Sequence, residues 1–67
     1  MNVIKRLEHL VKMITKYRHC WTQSPSARLI GWVDEYDQLR AEHYSDFCAY
    51  CAKHGFTPEH NGRDVLA

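Results

Sequence analysis

An all-α fold is predicted by three features of the chain. Apolar residues recur at three- and four-residue intervals, Gly and Pro are few and all but Gly31 sit where helices would start or stop, and no strand pattern is visible. The expected architecture is an antiparallel helical hairpin, with a first helix over about 3–21 and a long second helix over about 25–54. A short C-terminal tail or helical turn completes a single small domain spanning 1–67, with residues 56–67 as the segment that docks back.

The first helix rests on Val3, Ile4, Leu7, Leu10, Val11, Ile14, Tyr17 and Trp21, which collect on one arc when each residue advances by about 100°. Lys5, Glu8, His9, Lys12, Thr15 and Lys16 take the opposite side as a solvated face. Gln23, Ser24, Pro25 and Ser26 mark the turn: Ser24 is placed to cap free N–H groups, and Pro25 suits the first helical position, where no hydrogen bond is lost.

From Ala27 the helical pattern continues to His54 with Gly31 as its weak point. Gly55 is placed to serve as a left-handed cap, with Phe56 covering the last turn. Unbroken, such a helix would run roughly 45 Å against roughly 30 Å for the first, and Ser45 and Asp46 offer a site where it divides. Its central face holds Leu29, Val33, Tyr36, Arg40, His43, Phe47, Cys51 and His54, flanked by Trp32, Leu39 and Tyr50 on one side and Ile30, Tyr44 and Cys48 on the other. One helix cannot cover an apolar arc that spans half its partner. The width therefore predicts a second covering element: another copy of the chain in a homodimeric four-helix bundle, or a different protein.

Arg40, His43 and His54 fall in that stripe and need polar partners, which would set register across the helix pair. In the tail, Thr57, Pro58 and Glu59 can start a helical turn, Asn61 and Gly62 form a turn signal, and Val65 and Leu66 are apolar anchors.

Composition narrows the function classes. The 67 residues are 45% apolar and 25% charged with a net charge of +1, which fits one folded unit and favours neither a nucleic-acid nor a membrane partner on charge alone. The charge is unevenly spread: Lys5, Arg6, Lys12, Lys16 and Arg18 face only Glu8 in residues 1–23, whereas Asp34, Glu35, Asp37, Glu42 and Asp46 outnumber Arg28 and Arg40 in 24–46. Such segments can pair. Three cysteines and a charged N-terminus without an apolar signal core point to the cytoplasm and away from a secreted disulfide scaffold.

The sequence raises three chemistries. Cys48, Cys51 and His54 have the C-x-x-C-x-x-H spacing of soft zinc ligands, but on a continuous helix His54 lies about 9 Å along the axis from Cys48 and does not converge with it. Zinc is thus an alternative, against small packing cysteines with no cofactor. A redox pair belongs at a helix N-terminus after a strand, and this one is near a C-terminus. Nucleotide, hydrolase and metalloprotease motifs are missing, so the chain is not expected to be an enzyme.

The leading expectation is a small protein-interaction protein, a stoichiometric inhibitor, adaptor or regulator of a larger protein, of the size that phage and mobile elements use to block host proteins. Its expected contact residues are Trp32, Tyr36, Tyr44 and Tyr50, with Asp34, Glu35 and Asp37 as an acidic rim for a basic target. The alternatives are a dimeric nucleic-acid-binding regulator using Lys5, Lys12, Lys16 and Arg18, and a zinc-stabilised module.

Overall fold

In the computed structural model, which describes residues 2–21 and 26–67, the chain is all-α. Helix α1 is Val3–Tyr17, prolonged by a 3₁₀ turn at Arg18–Cys20; α2 is Ala27–Glu42, α3 is Tyr44–His54 and α4 is Gly62–Leu66. None of the described helices is long and apolar enough to cross a membrane.

Helix α1 begins where the Asn2 side chain accepts a hydrogen bond from the Lys5 amide, at 3.1 Å. Val3, Leu7, Leu10 and Ile14 form its buried edge, the innermost part of the predicted arc. Tyr17 falls outside the core because the helix tightens into a 3₁₀ turn there, ending four residues short of the expected limit.

The predicted cap and first-turn residues of the second helix, Ser24 and Pro25, lie outside the described residues. The observed N-cap is Ser26, whose hydroxyl accepts from the Leu29 amide at 3.2 Å.

The long second helix is two helices. The chain leaves helical geometry at His43 (φ −127°, ψ 51°), two residues before the expected Ser45 break and with no Gly or Pro to cause it. The longest dimension of the molecule is 34 Å, too short for the roughly 45 Å of an unbroken helix. The break allows Phe47, Tyr50 and Cys51 of α3 to fold onto Tyr36 of α2, so the apolar flanks meet each other and α1 instead of solvent. Much of the stripe is thereby covered within one chain. Leu39 replaces Arg40 as the buried residue of this turn of α2.

Helix α3 stops at Gly55, the one described residue with positive φ (74°), and the Phe56 amide donates to the Cys51 carbonyl at 2.8 Å. The tail packs on the core through Val65 and Leu66. Asn61 caps α4 by accepting from the Arg63 and Asp64 amides, and the Asp64 carboxylate accepts from the Asn61 amide. Val65 completes the core, with Phe56 and Leu66 packed at its edge.

Candidate interaction site

The residues singled out from the sequence divide sharply by burial. Tyr36 and Tyr50, expected at a partner surface, are 0% and 1% exposed. They are core residues because the bend at His43 brings α3 back onto α2, setting their rings edge to face at 6.1 Å. The Tyr36 hydroxyl hydrogen-bonds the Tyr50 hydroxyl at 3.2 Å and His60 Nδ1 at 2.8 Å, so the buried phenols are satisfied. Burial, reinforced by the Tyr50 hydrogen bond, raises the Tyr36 pKa and keeps that phenol neutral.

His60 links the tail to this network. Its ring stacks on Phe56 at 4.2 Å, and burial holds the imidazole below its ordinary pKa of 6.5 against the pull of Asp64. A base whose pKa falls on folding binds fewer protons in the native state than in the unfolded chain. Its stabilisation is therefore complete above about pH 6.5 and is lost as the pH falls through the lowered value. The wild-type protein should lose stability to urea between about pH 7 and pH 5.5, whereas His60→Gln, which keeps an acceptor for Tyr36 without titrating, should show a flat profile there. Equal slopes in the two proteins would assign the dependence to other histidines. The carboxylates of Glu8, lowered by Lys53 and His54, and Glu35, lowered by Arg6, act in a separate window below about pH 4.5.

The expected acidic rim is largely consumed inside the molecule. Arg6 donates to both oxygens of Glu35, at 2.6 and 2.8 Å, joining α1 to α2 through the opposite-sign pairing that the sequence suggested. Asp37 accepts from the Gly62 amide at 2.7 Å and so anchors the start of α4. Asp34 is exposed and has no such contact among the described residues. Tyr44 is 49% exposed, with the Arg40 guanidinium 5.8 Å from its ring centre.

The polar residues of the predicted stripe lie at its edges. Arg40 donates to the Pro58 carbonyl at 3.1 Å, and His54 and Lys53 both reach Glu8 of α1, at 2.7 and 2.8 Å. His43 is exposed at the bend. Cys48 is partly exposed and Cys51 buried on an uninterrupted α3, and no group able to hold a metal ion occurs among the described residues. Burial also pushes the Cys51 thiol pKa up.

Among the basic residues of the nucleic-acid alternative, Lys5, Lys12 and Lys16 are exposed along α1, whereas Arg18 donates to the Ala67 carbonyl oxygen at 3.0 Å. The lysine spacing of seven and four residues puts the three on one side of the helix.

Among the described residues a concavity of about 360 Å³, open to solvent, lies between the end of α1 and the start of α2. Met13, Tyr17 and Cys20 line it from α1 and the 3₁₀ turn, and Arg28, Leu29 and Trp32 from α2. Tyr17 and Trp32 stack at 5.7 Å, and the Lys16 ammonium lies 5.3 Å from the Tyr17 ring centre. Trp32 is the expected contact residue that the structure places here. Met13, Tyr17 and Cys20 carry no sequence signal for this site, and Arg28 carries only its place in the acid-free stretch between Glu8 and Asp34. The groove is therefore cationic at its edge, the reverse of the expected acidic rim.

Compared with known protein families, curated proteins and solved structures, the chain matches none.

Proposed function

We propose that this chain is a small non-enzymatic interaction protein that acts stoichiometrically, as an inhibitor, adaptor or regulator, by docking on a larger protein. The observation that carries this reading is the open groove at the α1–α2 end, where Trp32 and Tyr17 form an aromatic wall beside Met13 and Leu29. Solvent-facing aromatic and apolar surface of this kind favours macromolecular contact. Tyr17 and Ile30, 37% and 41% exposed, extend apolar surface at this end of the molecule, and Tyr44 supplies a separate exposed ring at the α2–α3 bend. The same reading takes α1 and α2 as a hairpin, with a phage- or mobile-element origin suggested by size alone.

Site-specific photo-crosslinking tests it. A benzophenone side chain at Trp32 should give one discrete protein adduct in extracts of the source cell, and the same group at Gln38 on the outer face should give none. The captured protein, purified and mixed with the wild-type chain, should form a complex of fixed stoichiometry by native mass spectrometry. Adducts in equal yield from both positions, or no complex on reconstitution, would overturn the reading. A nucleic-acid adduct would favour the lysine face of α1, and an adduct of two copies would favour the homodimer.

A further inference from the structure

Resting on that interaction reading, we propose that the groove beside Trp32 receives an acidic amphipathic segment of another protein. One bulky apolar side chain of that segment sits against Met13, Cys20 and Trp32, and its carboxylates face Arg28 and Lys16.

The charge distribution makes the argument. Residues 9–33 contain Lys12, Lys16, Arg18 and Arg28 and not one carboxylate. Arg28 lines the groove itself, and Lys16 lies over the ring of Tyr17, one of its walls. Lys12 is one helical turn back from Lys16 on the same side. The nearest acids along α2 do not neutralise this edge. Glu35 is bound by Arg6 through two hydrogen bonds, and Asp34 lies two residues from Trp32, on the far side of α2. An acidic partner thus meets positive charge that has no ion-pair partner among the described residues, which favours its encounter and penalises a basic one.

Size and lining select a peptide over the alternatives. A volume of about 360 Å³ is at the small end for ligand pockets, roughly 300–1,000 Å³, and suits an anchor side chain more than an entire ligand. A helix presenting apolar residues on one side and carboxylates on the other fits an apolar floor with a cationic margin. Single-stranded nucleic acid would need free ring faces and a line of cations along its backbone. Here Tyr17 already covers one face of Trp32, and Arg18 is engaged by the Ala67 carbonyl.

The test is fluorescence anisotropy of the full chain with synthetic probes. The first is an amphipathic peptide of Glu, Leu and Trp; its controls are the same peptide with Lys for Glu, a Glu and Gln peptide without apolar residues, and a single-stranded oligonucleotide. The amphipathic acidic peptide should bind about tenfold or more tightly than each control. The double substitution Lys16→Glu and Arg28→Glu should weaken it by a similar factor, with circular dichroism and melting temperature unchanged. Met13→Lys should do the same by placing a charge on the apolar floor. Equal binding of all peptides, or binding untouched by these substitutions, overturns the proposal. Tighter binding of the oligonucleotide assigns the surface to nucleic acid instead. Self-association of the chain alone that is abolished by Lys16→Glu assigns it to a second copy. A crosslinked protein complex that survives Lys16→Glu and Arg28→Glu would sink this inference while leaving the interaction function standing; no complex with either chain would remove both.

Discussion

Phe47→Ala is expected to leave little folded protein at 25 °C. Phe47 is fully buried, lies edge to face with Tyr36 at 5.6 Å, packs on Tyr50 at 5.7 Å and has the Arg40 guanidinium 5.8 Å from its ring centre. Its ring is the first buried group after the bend and holds α3 against α2. Truncating a buried Phe to Ala costs about 3–5 kcal/mol, through lost transfer energy and the cavity left behind. A chain of 67 residues has a total stability of roughly 3–10 kcal/mol, so the loss takes a large part of it. Urea denaturation followed by far-ultraviolet circular dichroism should show a transition shifted down by more than about 1 M, or none at all. A wild-type midpoint would show that α3 does not seal the core.

The same chemical change at two glycines is expected to act with opposite signs. A Cβ at Gly62 would lie 2.7 Å from Val33 Cγ1 and 3.0 Å from the Val33 carbonyl oxygen, which belongs to the backbone of α2 and cannot turn aside. Gly62→Ala therefore has to lift α4, lengthening the 2.7 Å hydrogen bond from the Gly62 amide to Asp37 and exposing Val65. Overpacking of this kind costs about 1–3 kcal/mol, and amide exchange should accelerate first at residues 62–67. At Gly31 a Cβ meets nothing within 4 Å on the exposed face of α2, so Gly31→Ala should stabilise by up to about 1 kcal/mol through helix propensity. If both variants moved the urea midpoint the same way, the close seating of α4 on Val33 would be disproved.

Together these substitutions locate what holds the molecule together: a short bend and a docked tail, each closing one side of a core that α1 and α2 alone leave open. They also bear on the groove. Neither Phe47 nor Gly62 touches it, so a peptide-binding defect in a folded variant at Lys16, Arg28 or Met13 is separable from a stability defect.

Local sequence was sufficient for every feature whose cause is local. The α1 core edge at Val3, Leu7, Leu10 and Ile14 follows from helical periodicity, and the stop at Gly55 with Phe56 over the last turn from the left-handed conformation that glycine accepts. The break at His43 has no local cause: Arg40, Ala41, Glu42 and Tyr44 are all compatible with a continuing helix. It arises because folding α3 back buries Phe47, Tyr50 and Cys51 in one chain, a gain that outweighs a few helical hydrogen bonds. That non-local choice reassigned Tyr36 and Tyr50 from surface to core, and the docked tail committed Asp37 to the Gly62 amide. The cationic groove beside Trp32 likewise came into being only when α1 and α2 were set side by side, because its residues come from separate stretches of chain whose contact no periodicity encodes.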